Sequence, residues 1–309
     1  MSAGLSTELC EGRVVVITGA GNGIGRAHAL AFAAHGAKVV VNDLGGGRDG
    51  GGASAGPAAA VVDEITAAGG EAVANTDDIA SWAGAEKLIA QAVESFGGLD
   101  VLVNNAGILR DRMIVTMTEQ DWDSVIAVHL KGSLATLHHA ARYWRQRAKD
   151  GAANDARVIN TTSTSGLFGN PGQGNYASAK AAIASLTITA AAELARYGVT
   201  VNAIAPTALT RLTDDIDVMH RMAAATDLSP DAISPLAVWL GSDRSREVTG
   251  RIFGVYGSRI TVLEGWANGP AATHPSRWDP AELSDVVPDL VAKAAPNADA
   301  LGNRPPTGL

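Results

Sequence analysis

The segment Thr18-Gly19-Ala20-Gly21-Asn22-Gly23-Ile24-Gly25 constrains this chain more than any other, because of what flanks it. Before it, residues 13–18 (Arg-Val-Val-Val-Ile-Thr) are a short β-branched run, the pattern of a strand buried on both faces. After it, residues 24–35 are Ala-rich and helical in character, and residues 37–42 (Ala-Lys-Val-Val-Val-Asn) read as a second strand. Together these make one βαβ unit. In that setting the glycines permit a tight turn and let a pyrophosphate approach the backbone. The helix N-terminus adds free N–H groups and the positive end of its dipole. Gly19, Asn22, Gly23, Ile24 and Gly25 are therefore candidate dinucleotide contacts, with an ordinary glycine turn as the alternative.

The alternation continues along the chain. The pattern predicts helix 57–68, strand 71–75, helix 84–96, strand 99–103, helix 118–148, strand 156–161, helix 174–197, strand 199–204 and a seventh strand at 251–256. No Pro/Ser linker interrupts it, so the expected fold is a single α/β domain, a doubly wound parallel sheet of about seven strands. We expect that domain to occupy residues 1–265 and a Pro-containing extension to follow at 266–309, with a short helix at 279–294 and Pro280 in its first turn. Two stretches break the pattern. Residues 45–56 hold seven glycines in twelve positions, too flexible for a regular element. Residues 207–235 are polar, with Met219 and Met222 among them.

Composition removes several function classes. With 46% hydrophobic and 18% charged residues the chain suits a well-buried globular enzyme. Its net charge of −8 and the lack of a Lys/Arg block argue against nucleic acid as a partner. Cys10 is the only cysteine, which excludes an intrachain disulfide and a cysteine-based zinc site, and no metal is expected. No apolar stretch approaches the ~20 residues that span a bilayer. The first ten residues lack the basic start and apolar run of a signal peptide, and the terminal Pro-Pro-Thr-Gly-Leu is not a Ser-Lys-Leu peroxisomal address. We expect a cytoplasmic protein. Eighteen Arg against six Lys suggest a GC-rich bacterial genome.

Asp43 ends the second strand, 24 residues beyond Gly19. A carboxylate there accepts hydrogen bonds from adenosine ribose hydroxyls and repels a 2′-phosphate, which favours NAD over NADP. Arg48 argues otherwise but lies in the glycine-rich stretch, and a plain surface carboxylate is the other reading of Asp43. Asp78, after the third strand, is placed to meet the adenine edge, or to cap and be solvated. Tyr176 and Lys180 stand four residues apart on a predicted helix and share one face, with Ser163 thirteen residues upstream, past the end of a strand. Alcohol oxidation needs a base for the hydroxyl proton. A free tyrosine with pKa ≈ 10 is a poor one, and a neighbouring ammonium together with the positive nicotinamide ring is expected to lower that value. Ser163 would hold the substrate oxygen, and in the reducing direction Tyr176 becomes the acid.

Thr18-Gly19-x-x-x-Gly23-x-Gly25, Asn104-Asn105-Ala106-Gly107, Ser163, Tyr176-x-x-x-Lys180 and Asn202-Ala203-Ile204-Ala205-Pro206 together resemble the short-chain dehydrogenase/reductase family, in order, from about residue 10 to 258. The resemblance implies a Rossmann-type fold, a nicotinamide cofactor and Ser/Tyr/Lys chemistry. It also implies that Lys180 holds the nicotinamide ribose and that Asp78, Ile79, Asn105, Ala106, Gly107 and Pro206 lie along the cofactor. Two positions depart from the family pattern. His129 stands where an Asn usually joins a proton relay, and either a relay role or a bond to a backbone carbonyl suits it. Thr207 stands where Gly usually follows Pro206.

Val41-Asn42-Asp43-Leu44-Gly45-Gly46, Asn105-Ala106-Gly107-Ile108-Leu109-Arg110-Asp111-Arg112, Val128-His129-Leu130 and Gly169-Asn170-Pro171-Gly172-Gln173-Gly174-Asn175-Tyr176 narrow the match. They resemble the (3R)-hydroxyacyl-CoA dehydrogenase unit of peroxisomal multifunctional enzymes of type two. The implied reaction is NAD-dependent oxidation of a 3-hydroxyacyl-CoA, including steroid side-chain thioesters, by a stand-alone, actinobacterial-like relative. Alternatives are a 17β-hydroxysteroid dehydrogenase or carbonyl reductase acting on a free substrate, and a non-catalytic NAD-binding protein. An acyl-CoA partner calls for positive charge, for which Arg110, Arg112 and Arg211 are candidates unless they are plain solvated surface. The family also implies a homodimer or homotetramer packed through the helices at 118–148 and 174–197. The extension at 266–309 is expected to cover a neighbouring subunit's cleft.

Overall fold

Strand by strand, the β-branched runs split their side chains between two opposite cores. Val15, Ile17, Val39, Val41, Val101 and Val103 join Phe32, Ile65, Ile233 and Leu240 on one side of the sheet. Val14, Val16, Val40, Leu102 and Val158 join Leu88, Ile89, Trp144 and Leu194 on the other. This is why these strands read as continuous apolar runs rather than as alternation. The computed structural model describes residues 8–47, 49, 51–52, 54–210, 223, 226–299 and 302–304. Arg48, Arg211, Met219 and Met222 lie outside the described residues.

The strands are β1 (Val14–Thr18), β2 (Lys38–Asn42), β3 (Glu71–Asn75), β4 (Val101–Asn104), β5 (Ala156–Thr161), β6 (Val199–Thr207), β7 (Ile252–Tyr256) and β8 (Arg259–Val262). They form one sheet in the order β3-β2-β1-β4-β5-β6-β7-β8. Every neighbouring pair is parallel except β7–β8. The order reverses between β1 and β4, and the crevice at the carboxyl ends of those strands is where an open α/β sheet takes its ligand. Helices α1 (Gly23–Ala34), α2 (Gly56–Ala67) and α8 (Ser234–Gly241) cover one face. On the other lie α3 (Trp82–Phe96), α5 (Gly132–Lys149) and α7 (Gly174–Leu194). The short helices α4 (Glu119–Ile126) and α6 (Thr164–Phe168) sit at the carboxyl edge.

Three expectations are corrected. An eighth, antiparallel strand follows β7 through Gly257 and Ser258, with Gly257 at φ +54°, as a two-residue hairpin turn requires. The single helix expected at 118–148 is α4 and α5 joined by a π-helical turn, Ala127–Lys131, which carries His129. A capping box between Thr118 and Asp121 starts α4. In the extension, the helix expected at 279–294 is α9 (Leu283–Lys293), so Pro280 precedes it and Pro288 lies inside it, with no residue of α9 buried. Gly302 returns to rest against the Phe168 ring of α6.

Candidate active site

The glycine turn after β1 is shaped by contacts that leave no space for a side chain. A Cβ on Gly19 (φ +62°) would fall 2.7 Å from Ala106 Cα, and one on Gly25 would collide with the Gly19 carbonyl. Asn105 braces the same turn: its Nδ2 donates to Thr18 O (3.1 Å) and Gly19 O (3.2 Å). The Asn105 and Ala106 N–H groups both donate to Thr18 Oγ1 (3.0 and 3.1 Å). Asn22 is the N-cap of α1 but makes no side-chain cap bond, so no cap side chain occupies the amides that an anion would meet.

Asp43 stands at the other side of this turn. Its Oδ2 accepts from Gly21 N–H (2.8 Å) and its Oδ1 from Gly45 N–H (2.7 Å), so two amides orient the carboxylate beside the loop. Asn42 Nδ2 donates to Asn75 Oδ1 (2.6 Å) and Asp77 O (3.0 Å), tying β2 to the loop after β3. There Asp78 accepts from Ala80 N–H (2.9 Å) in a local turn before α3, whose cap is Ser81, while still lining the cavity. Ile79 is buried against Gly132, where a Cβ would lie 2.9 Å from Ile79 Cδ1. Pro206 lines the far wall from β6, opposite Val255 of β7. The cavity these residues enclose is about 580 Å³, and Ser163, Tyr176 and Lys180 line its inner end. A glycine cradle at a helix N-terminus, a carboxylate at one end and a hydroxyl–amine pair at the other fit a dinucleotide.

Ser163 caps α6, its Oγ accepting from Ser165 N–H (3.2 Å). Tyr176, in the first turn of α7, stands beside Ser163, whose hydroxyl acts to lower the phenol pKa. Lys180, one turn further, donates from Nζ to Thr161 O (2.6 Å) and lies 5.6 Å from the Tyr176 ring centroid. Sequence reasoning missed the residues that hold these three in place. Thr162 Oγ1 donates to Lys180 O (2.7 Å), and a Cβ on Gly166 would lie 2.6 Å from Ala181 N, so only glycine lets α6 touch α7 there. Asn175 is fully buried. Its Nδ2 donates to Arg110 O (2.9 Å) and Asp121 O (3.0 Å), and its Oδ1 accepts from Tyr176 N–H (2.8 Å).

The electrostatics differ from expectation. Burial pulls the Lys180 amine down to about 7. Burial raises the Tyr176 phenol, against a smaller lowering by the Ser163 hydroxyl, with the Asp111 charge adding to the rise. The lowering expected from the ammonium together with a positive nicotinamide ring is not supplied by the chain's own groups. The Lys180 charge does not enter the Tyr176 shift, and the site that shelters the phenol also strips water from the amine.

His129 takes the backbone partner named as its second reading. Its Nε2 lies 2.8 Å from Ile108 O and 3.1 Å from Ile108 N, while Nδ1 is buried without a partner. With the proton on Nε2, Nε2 donates to Ile108 O and Ile108 N–H loses its acceptor; with it on Nδ1, Nε2 accepts from Ile108 N–H and a buried Nδ1–H has no partner. The ring meets Tyr176 edge-on, centroids 5.2 Å apart. Burial, then the Lys180 charge, lower His129 to about 3, against the Ile108 bond; burial alone lowers His28 to about 4. Both folded values lie below the unfolded value of about 6.5, so the unfolded chain binds more protons in between. Their stabilisation is complete above pH 6.5 and falls as the pH drops toward the folded values. We expect each to cost about 2 kcal/mol at pH 5 relative to pH 7.5. Denaturant midpoints should therefore drop on acidification, and His129→Asn should flatten that slope. An unchanged slope would contradict the neutral, buried assignment.

Of the arginines proposed for an acyl-CoA, Arg110 and Arg112 do not line the described cavity wall, and Arg211 lies outside the described residues. Arg110 Nε donates to Asp49 O (3.0 Å), and Arg112 Nη1 donates to Asp111 O (3.1 Å). Among the described residues, no His/Cys/Asp/Glu group is arranged to hold a metal, and no helix is long and apolar enough to cross a membrane.

Residues 13–217 match the short chain dehydrogenase family model. The chain belongs to that family. Among relatives of this short-chain dehydrogenase, Hydroxyacyl-CoA dehydrogenase ChsB1 of Mycobacterium tuberculosis is 44% identical over 301 residues, covering 93% of this chain and 90% of that protein. Peroxisomal multifunctional enzyme type 2 of Drosophila melanogaster is 45% identical over 83% of this chain, which spans 40% of the fly enzyme. The crystal structure of a short chain dehydrogenase from Mycobacterium avium is similar at 59% identity and a TM-score of 0.85, covering 94% of this chain and 98% of that one. A Burkholderia cenocepacia short chain dehydrogenase in complex with NADP superposes with a TM-score of 0.70 at 28% identity, covering 81% of this chain and 98% of that one. The chain is therefore an oxidoreductase with a nicotinamide cofactor, acting on a secondary alcohol, as its motifs implied.

Proposed function

We propose that this short-chain dehydrogenase oxidises a 3-hydroxyacyl-CoA thioester, including thioesters of steroid side chains, to the 3-oxoacyl-CoA, with NAD as coenzyme. The observation that carries the reading is the 44% identity to a hydroxyacyl-CoA dehydrogenase across nine-tenths of both chains. Ser163, Tyr176 and Lys180 at the carboxyl edge supply the chemistry. Ser163 Oγ holds the substrate hydroxyl against Tyr176, and the Tyr176 oxygen takes its proton as the carbonyl forms. A nicotinamide bound in this cavity would supply the acceptor for the hydride. Lys180, held by Thr161 O, steadies the phenolate and the coenzyme ribose. Asn175 sets the Tyr176 backbone, and His129, neutral and wedged against the Tyr176 ring, positions rather than titrates. Asp43 supports NAD, since a carboxylate at the end of β2 would accept from the adenosine ribose hydroxyls and repel a 2′-phosphate.

A free hydroxysteroid substrate is the second reading. It is favoured by the described cavity wall, whose only Lys or Arg is Lys180. The deciding experiment follows NAD reduction spectrophotometrically with 3-hydroxyacyl-CoA thioesters, steroid side-chain thioesters included, beside free hydroxysteroids. We expect turnover with the thioesters, while turnover confined to free steroids would sink the acyl-CoA reading. The same proposal includes a homo-oligomer packed through α5 and α7, supported by the exposed Leu134 and Ile188 on those helices. A cytoplasmic location suits the single, buried Cys10.

A further inference from the structure

Two loops that flank β1 at the carboxyl edge are tied together by a side chain the reaction does not use. β2 and β4 pair with β1 on its two sides. The glycine-rich insert after β2 closes at its neck, where Ser54 N–H donates to Leu44 O (3.0 Å). A Cβ on Gly45 (φ +73°) would collide with the Ser54 carbonyl, so glycine is required at that crossing. Further out, Gly47 N–H donates to Gly51 O (2.6 Å), and Asp49 Oδ1 accepts from Gly51 N–H (3.1 Å). From there the Asp49 carbonyl accepts from Arg110 Nε at 3.0 Å, across 61 residues of sequence. Leu44, Gly46 and Gly47 line one side of the cofactor cavity, and Ile108 and Leu109 line another. The Arg110–Asp49 bond therefore joins two of its walls.

Arg110 is equally fixed on the site side. Its carbonyl accepts from Asn175, the residue that anchors the Tyr176 amide, and its Nη1 lies 3.9 Å from Asp121 Oδ1. We propose that Arg110 is a positioning residue that latches the glycine-rich insert over the coenzyme and so sets how fast the coenzyme leaves. The proposal rests on reading the cavity as the coenzyme site. A glycine-rich segment loses much conformational entropy when ordered, and the backbone bonds among its described residues offset only part of it. A guanidinium suits the task because it is always charged and its donors are rigidly placed. Release requires the wall to open, so loss of the latch appears in the off-rate.

The test measures NADH release by stopped-flow fluorescence in wild type, in Arg110→Gln, and in both after deletion of residues 47–51. Arg110→Gln is expected to speed release about ten-fold with the insert intact, the value of one charged hydrogen bond. Without the insert the same substitution is expected to change release less than about two-fold. In coenzyme-free protein the Gly45, Gly47 and Ser54 amides should lose exchange protection in Arg110→Gln while core strands keep theirs. Release unchanged by Arg110→Gln overturns the latch. So does equal acceleration with and without the insert, which would route the effect through Asn175. Should the shortened chain fail to fold, unchanged protection of the insert in Arg110→Gln overturns it alone. Wild type that binds NADPH but not NADH removes only the NAD assignment, and the release assay then runs with NADPH. Binding of neither removes the coenzyme reading itself.

Discussion

Tyr176→Phe is expected to lower kcat about a thousand-fold while NADH affinity stays within about three-fold, because only the acid–base oxygen is removed. The phenylalanine ring keeps the edge-on contact with His129, 5.2 Å between centroids, and the place of α7 is set by Asn175 through the backbone. What it lacks is the hydroxyl that stands beside Ser163. The pH dependence of the wild type carries the sign. Burial raises the Tyr176 pKa above its ordinary value, so the phenolate needed for oxidation is a minor form at neutral pH and grows with each unit of alkalinity. Oxidation should accelerate as pH rises from 7, and reduction, which uses the neutral phenol, should slow. Burial also leaves the Lys180 amine near 7, so its charge fades over the same range. The two trends oppose one another in oxidation, and a Lys180→Arg variant, permanently charged, separates them. Should Tyr176→Phe retain more than about a tenth of wild-type kcat, proton transfer by Tyr176 is not the mechanism. Loss of NADH binding in the same variant would assign the residue to coenzyme binding instead.

Those parts of the site whose residues are neighbours along the chain are legible from the amino-acid order alone. The glycine turn lies within one βαβ unit, and Tyr176 and Lys180 are one helical turn apart, so spacing brings each set together. The strands are legible because burial on both faces demands β-branched runs such as 14–17 and 39–41. β8 escaped although its hairpin signal, Gly257-Ser258, is present, because four residues of Arg-Ile-Thr-Val are too short to stand out. The π turn at Ala127–Lys131 leaves no mark on apolar spacing, since one extra residue in a long amphipathic stretch shifts the pattern by less than it varies. Arg110 shows the limit most clearly. Its charge is readable, yet its partner is a main-chain carbonyl 61 positions away, and a carbonyl has no sequence signature. The direction of the Tyr176 shift depends on how much water packing removes, which no neighbouring residue type reveals.

Asp43→Ala is expected to cut the preference for NAD over NADP, as the ratio of kcat/KM values with one substrate, by about a hundred-fold or more. Two effects add. In the NAD complex the carboxylate is lost as acceptor for the adenosine ribose, a charged hydrogen bond of about 1.5–3 kcal/mol, or some ten- to hundred-fold. With NADP, removal of a negative charge from beside the 2′-phosphate relieves repulsion, so that coenzyme loses little and gains affinity. The folded chain adds a complication that the sequence does not show. Asp43 also accepts from Gly21 N–H at 2.8 Å and Gly45 N–H at 2.7 Å, so its removal leaves the glycine turn and the start of the insert without a shared anchor. That loosening weakens both coenzymes alike and lowers the thermal midpoint, whereas the ratio responds only to the 2′ position. The two are therefore separable in one pair of titrations. A ratio unchanged by Asp43→Ala, with both affinities reduced together, would leave Asp43 as a brace of the turn and return the choice between NAD and NADP to residues elsewhere in the cavity.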